Sequence, residues 1–139
     1  MEARRYRIPI PFEKMKIGIT FGVFDLFHYG HENLLKRCRD YCDYLVVGVV
    51  TDYWVKVQKG HDRPIQNVYD RIESVKPYAD KVVIVDTLDM SQYLQMADIW
   101  IKTIGQNNMR PTFYPNIVVL PRTPGISTTE LIAAKNQNN

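Results

Sequence analysis

With 139 residues, 45% of them hydrophobic, the chain is long enough for one compact domain with a sizeable core. Its 18 basic and 15 acidic side chains leave a formal net charge of +3, scattered rather than striped, which argues against a nucleic-acid surface and suits a small anionic ligand. No apolar run approaches the roughly 20 residues of a membrane span, and residues 1–11 lack a signal peptide's apolar core, so a cytoplasmic protein without a membrane partner is expected.

Residues 1–15, with Arg4, Arg5, Arg7, Pro9 and Pro11, read as an extension that packs loosely on the domain or joins subunits. The domain proper is expected over 16–135, with 136–139 a flexible tail. Residues 16–21 have the length and alternation of a strand, and Leu34, Leu35 and Cys38 recur at helical spacing beyond them. Between lies Gly22-Val23-Phe24-Asp25-Leu26-Phe27-His28-Tyr29-Gly30-His31, a loop at the carboxyl end of a strand. A helix beginning near His31 would aim unpaired N–H groups and a partial positive charge at an anion, with phosphate the natural candidate. Gly22 and Gly30 would let backbone approach that ligand, and His28 and His31 flank Gly30 so that two imidazoles can converge on one group.

Cys38 and Cys42 lie four apart on the expected first helix. A zinc site would need two further ligands, and His61 is the only histidine outside the loop, so both are read as reduced thiols and no metal ligands are assigned. Residues 44–50 form a near-continuous, β-branched apolar run, as a central parallel strand should. Residues 51–66 read as a solvated polar loop containing Lys56, Lys59, His61 and Arg63 around Gly60. A helix is predicted over 67–76, with Asn67 as N-cap and Pro77 at its end. Strands follow at 81–85, 99–104 and 116–120, with a short helix over 90–97. Gln106, Asn107 and Asn108 follow the fourth strand, again at a carboxyl end. Pro121 and Pro124 stiffen the next loop, Gly125 permits a tight turn, and the last helix is predicted over 128–135. Ser127-Thr128-Thr129-Glu130 has the form of a capping box, and the same hydroxyls and N–H groups, with Arg122 beside them, could form an anion site.

Strands alternating with helices, with ligand loops at carboxyl ends, predict a Rossmann-like, doubly wound α/β domain of about five parallel strands. No G-x-G-x-x-G fingerprint is present.

The string His28-Tyr29-Gly30-His31 resembles the H-x-G-H signature of the nucleotidyltransferase superfamily. The longer Gly22–His31 string, and a second one running Arg122-Thr123-Pro124-Gly125-Ile126-Ser127-Thr128-Thr129, resemble the two signatures of its cytidylyltransferase branch. The resemblance spans roughly residues 16–132. It implies transfer of a cytidylyl group from CTP to a phosphorylated alcohol with release of pyrophosphate, a magnesium ion accompanying the nucleotide, and a homodimer. Carried onto this chain, it assigns His28, His31, Lys56 and Arg122 to catalysis. Nucleotide binding falls to Gly22, Val23, Phe24, Asp25, Gly30, Lys59, Arg71, Thr123, Gly125, Ile126, Ser127, Thr128 and Thr129. Which of Lys56 and Lys59 turns inward is open. Arg71 resembles a phosphate-contacting arginine, although the interval from Arg71 to Asp80 is about two residues short of the pattern, which leaves Tyr69 as the other occupant of that position. The resembled enzymes commonly carry aspartates where this chain has Gln106 to Asn108. Neutral amides suit hydroxyls better than an ammonium, so these three are assigned to an acceptor such as glycerol 3-phosphate in preference to phosphocholine or phosphoethanolamine. Adenylyl transfer, or a regulatory domain without turnover, are the competing expectations.

Overall fold

The computed structural model describes residues 10–87, 89–103 and 116–137. Five strands, β1 (Ile17–Gly22), β2 (Tyr44–Val50), β3 (Lys81–Val85), β4 (Ile99–Thr103) and β5 (Ile117–Leu120), form one sheet in the order β3-β2-β1-β4-β5. All neighbours run parallel. The helices are α1 (Tyr29–Cys38), α2 (Asp52–Lys59), α3 (Val68–Val75), α4 (Ser91–Leu94) and α5 (Thr128–Gln137). The expected α/β architecture is therefore present. Chain order runs outward from β1 on both sides, so loops diverge at the β1/β4 junction and open a crevice at the carboxyl ends, where such sheets bind ligands.

Period-two alternation divides the core between the two faces of the sheet. Leu45, Val47 and Val49 of β2 pack with Leu35 and Cys38 of α1, Val75 of α3 and Ile101 of β4. Val46 faces the other way, with Ile19, Phe21, Val85, Leu94 and Trp100. From Leu45 to Val50 every residue of β2 is buried, which is why this strand reads as an unbroken apolar run.

The amino edge is fastened by aspartates. Asp43 accepts the N–H of Lys16 at 2.9 Å, Asp98 that of Ile17 at 2.8 Å, and Asp80 that of Leu45 at 2.8 Å while also pairing with Arg39. Carboxylates that could repel an anion are thus spent at the edge away from the crevice.

Several sequence expectations need correction. The stretch taken as a solvated loop over 51–66 holds α2. Val55 is its single fully buried side chain, so apolar periodicity barely registers there, yet Asp52 in the first turn, Lys56 and Lys59 in the last and Gly60 at φ 108° are ordinary helix punctuation. The first helix starts at Tyr29 and ends at Cys38, so Cys42 sits beyond it, in the turn before β2. Both cysteines are free thiols; Cys42 donates to the Cys38 carbonyl at 3.3 Å, and burial pushes the Cys38 thiol up to about 12. The last helix runs to Gln137, so the first two residues of the expected tail are helical. Asn67 does cap α3, accepting the N–H of Asp70 at 2.9 Å, and Pro77 lies in the 3-10 turn (Lys76–Tyr78) that ends it.

Candidate active site

The first signature folds as a clasped loop. Phe24 (φ 55°) and Leu26 (φ 50°) adopt left-handed backbone conformations that side chains other than glycine take at a cost, and they flank buried Asp25. Asp25 over-determines the loop: its carboxylate accepts the N–H groups of Ile65 at 2.8 Å and Gln66 at 2.9 Å, while Gln66 Oε1 accepts the N–H of Leu26 at 3.0 Å. Arg71, fully buried, closes the same clasp. Its guanidinium donates to the Gln66 carbonyl (2.9 Å), the Val23 carbonyl (2.8 Å) and Asp52 Oδ1 (2.5 Å). The two charged groups buried here are thus spent on backbone and on each other's neighbours, as buried charges must be.

The two histidines open α1 as a reciprocal cap. Gly30 N–H donates to His28 Nδ1 at 3.1 Å, and His28 N–H donates to His31 Nδ1 at 3.2 Å. With both Nδ1 atoms accepting, each neutral ring carries its proton on Nε2. The rings stack with centroids 3.8 Å apart. Phe24 and Phe27 pack on His31, and burial first, then the neighbouring His28, lower its pKa to about 3. The site thereby presents a neutral His31 imidazole, with His28 stacked on it, at a helix N-terminus. Gly30 is needed for this stack, because a Cβ there would lie 2.9 Å from His28 Cε1 and 3.2 Å from Ile126 Cγ2.

The cleft gathers residues from every strand end that borders the crevice. Gly22, Val23, Phe24, Asp25, His28, Gly30 and His31 line it from the first signature, and Arg122, Thr123, Ile126, Ser127, Thr128 and Thr129 from the second. The two signatures touch: Thr128 Oγ1 donates to the Asp25 carbonyl at 2.7 Å, and Asn33 Nδ2 to Thr123 Oγ1 at 3.4 Å. Lys59 lines the cleft, whereas Lys56 turns away to donate to the Arg63 carbonyl at 3.2 Å. Arg71 is likewise not among the lining residues, its donors being committed to the clasp; Tyr69 is 70% exposed and lies outside the cleft as well. Gly125, at the turn into α5, is not a lining residue either. Glu130 has no described side chain to test the expected capping box, and Gln106, Asn107 and Asn108 lie outside the described residues.

Sequence reading missed Arg37, Gln58 and Arg63, all of which line the cleft. Arg37 follows His31 and Leu34 at three-residue intervals, so helical phase from the second histidine was the available signal. Gln58 was hidden by reading α2 as loop, and Arg63, in the loop that follows α2, was read as solvated.

Residues 19–111 match the family described as Cytidylyltransferase-like. The chain belongs to that family. Cytidylyltransferases are nucleotidyltransferases, so the enzyme class that the two signatures imply is the family's own. A glycerol-3-phosphate cytidylyltransferase of Bacillus spizizenii is 33% identical over 134 residues, covering 84% of this chain and 95% of that protein. An ethanolamine-phosphate cytidylyltransferase of Dictyostelium discoideum is 51% identical over 71 residues, covering half of this chain and 20% of that protein. The bifunctional protein HldE of Hyphomonas neptunium is 35% identical over 130 residues, 86% of this chain and 27% of that protein. Among solved structures, a lipopolysaccharide core biosynthesis protein from Thermoplasma volcanium superposes with a TM-score of 0.61 at 22% identity, over 78% of this chain and 97% of that one, which bears on the fold alone.

Among the described residues no helix is long and apolar enough to cross a membrane, and no group of three or more His, Cys, Asp or Glu could hold a metal ion.

Proposed function

We propose that the protein transfers CMP from CTP to a phosphorylated alcohol, a polyol phosphate such as glycerol 3-phosphate, releasing pyrophosphate. The observation that carries this is the pair of histidines at the start of α1, each with Nδ1 accepting a backbone N–H, lining one cleft with Lys59 and Arg122. An acceptor phosphate oxygen attacks the α-phosphorus of CTP in line. The new P–O bond forms as the bond to the β-phosphate bridging oxygen breaks, and that electron pair leaves on pyrophosphate. Such a reaction needs positioning and charge stabilisation rather than a side-chain nucleophile. His28 and His31 donate Nε2–H to the α- and β-phosphate oxygens. Lys59 and Arg122 offset the triphosphate charge, and the N–H groups of 127–129 at the start of α5 hold a further phosphate oxygen. Lys56 and Arg71 act from behind this layer, through the loop they hold.

Magnesium, when bound with the nucleotide, adds charge neutralisation on the phosphate oxygens. The described residues do not form a cage for it: Asp25 is the one carboxylate among the lining residues, and both its oxygens accept backbone N–H groups. No step above passes through the metal.

The Bacillus spizizenii relative supports the polyol acceptor, since this chain covers 95% of it. Phosphoethanolamine is the second reading, favoured by the 51% identical stretch shared with the Dictyostelium protein. The amides Gln106, Asn107 and Asn108 are proposed to hold acceptor hydroxyls. The assay is pyrophosphate release with CTP or ATP against glycerol 3-phosphate, other polyol and sugar phosphates, phosphoethanolamine and phosphocholine. Fastest turnover with CTP and a polyol phosphate is expected. Equal kcat/KM for ATP overturns the nucleotide assignment, and faster turnover of either amino-alcohol phosphate overturns the acceptor. A homodimer is proposed with it, and light scattering that shows a monomer across micromolar concentrations overturns that part.

A further inference from the structure

We propose that Tyr78, in the 3-10 turn after α3, is a positioning residue for transfer, its ring closing a column of stacked rings that sets His31 in the cleft. The proposal rests on the nucleotidyl-transfer reading and names, for that same site, a residue that lies in neither signature. His28 stacks on His31 with centroids 3.8 Å and planes 26° apart, Phe27 packs on His31 at 5.3 Å and 33°, and Tyr78 stacks on Phe27 at 5.5 Å and 21°. Both histidines line the cleft and neither Phe27 nor Tyr78 does, so the column leads from the cleft wall back into the protein. Its far end is Tyr78.

His31 needs such support. Its Nδ1 accepts the His28 N–H at 3.2 Å, the long end of the range for such a bond, and one long bond leaves a ring free to tilt about it. Contacts on the ring fix the tilt. Phe27 supplies one of them, but it belongs to the signature loop rather than to a strand or helix, so its own ring is only as fixed as what packs on it. Tyr78 is anchored on both sides. Its carbonyl accepts Arg39 Nη2 at 3.1 Å, and Arg39 also pairs with Asp80, whose carboxylate holds the N–H of Leu45 near the start of β2. Its hydroxyl donates to Glu32 Oε2 at 3.1 Å, and Glu32, the residue after His31 on α1, is held in turn by Lys36 Nζ at 3.0 Å. Tyr78 therefore meets α1 at both ends, with its ring on Phe27 between.

Ring and hydroxyl have separate tasks in this arrangement. The hydroxyl sets the tyrosine against α1, whereas the ring supports Phe27 and, through it, the imidazole. A donor to a phosphate oxygen must be placed to a fraction of an ångström in the transition state, while nucleotide binding is shared among many groups of the cleft. Loss of the ring is thus felt in turnover more than in binding.

The test compares Tyr78→Ala and Tyr78→Phe with wild type by steady-state kinetics with CTP and by nitrogen NMR of the histidine rings at neutral pH. In Tyr78→Ala, kcat is expected to fall about 10-fold or more with KM for CTP within about 2-fold, and the His31 Nδ1 resonance to move toward the position of an unbonded acceptor. Tyr78→Phe keeps the ring and should restore both kcat, to within about 2-fold, and the wild-type His31 signal. An unchanged His31 resonance in Tyr78→Ala overturns the proposal, as does a loss carried by KM alone or a Tyr78→Phe variant as impaired as Tyr78→Ala. Should Tyr78→Ala fail to fold, as judged by circular dichroism, Tyr78→Leu, which fills part of the space without a ring, carries the comparison by the same criteria. A wild-type protein that releases no pyrophosphate from any nucleotide and acceptor overturns the transfer reading, while the nitrogen spectra still decide whether Tyr78 sets His31.

Discussion

Thr128 Oγ1 donates to the carbonyl oxygen of Asp25 at 2.7 Å, joining the first signature loop to the first turn of the last helix across 103 residues of chain. The bond spends the Thr128 hydroxyl on protein rather than on a ligand. Thr128→Val should therefore lower stability by about 1 kcal/mol and reduce kcat/KM by loosening one signature against the other, while Thr128→Ser keeps both near wild type. Urea unfolding combined with steady-state kinetics on the two variants checks this. A fully active valine variant would mean that the two loops hold their relation without the bond.

Each histidine has two tasks, and substitution separates them. His28→Asn preserves an N-cap acceptor but removes the Nε2 donor, so kcat should fall about 10²- to 10³-fold with stability little changed. His28→Ala should show the same kinetic loss and an additional destabilisation of about 1 kcal/mol. Chemical denaturation alongside turnover measurements distinguishes the two variants; equal stability would refute the capping role.

His31 gives the fold a specific acid sensitivity. It titrates near 6.5 when unfolded but is held neutral in the fold, with a pKa lowered to about 3 by burial and by His28. Unfolding thus takes up a proton between those values. The stability tied to His31 is complete above about pH 6.5, declines as pH falls below it, and is gone by about pH 3. Urea midpoints measured from pH 7 down to pH 4 should slope less steeply in His31→Gln than in wild type. Identical slopes would place the acid sensitivity elsewhere.

Gly30 is a packing requirement on catalysis. A methyl group there meets His28 Cε1 at 2.9 Å and Ile126 Cγ2 at 3.2 Å, so Gly30→Ala must shift the imidazole or the second signature. The expected result is a kcat loss of about 10-fold or more in a folded protein, since small misplacements of catalytic groups are costly. Nitrogen NMR of the histidine rings should show altered Nδ1 hydrogen bonding in the variant; an unchanged spectrum with reduced turnover would sink this explanation.

The fold was legible because its strands obey simple patterns: the run from Leu45 to Val50 is buried on both faces, and Asn67 and Pro77 punctuate α3 as their chemistry dictates. The cleft was legible at its signatures, where His28, His31, Arg122 and Thr128 do meet. It was not legible where a charged side chain could either reach a ligand or be buried. Lys56 and Lys59 differ by less than one helical turn, yet the Arg63 carbonyl captures one and the cleft receives the other. Arg71 has a phosphate-binding side chain, but Val23, Gln66 and Asp52 exhaust its donors, a three-way convergence that no local pattern announces.

The central place of β1 has a consequence for the order in which the molecule can be made. First of the five strands in chain order, β1 pairs along one edge with β2, but its other edge waits for β4, with Gly18 set beside Ile99. Until the ribosome has delivered that far, the strand that carries the histidine loop has an open flank able to pair with any extended segment. Newly made chains are therefore most exposed to mispairing during the interval between β2 and β4, when any cover over the open flank of β1 would favour the native pairing.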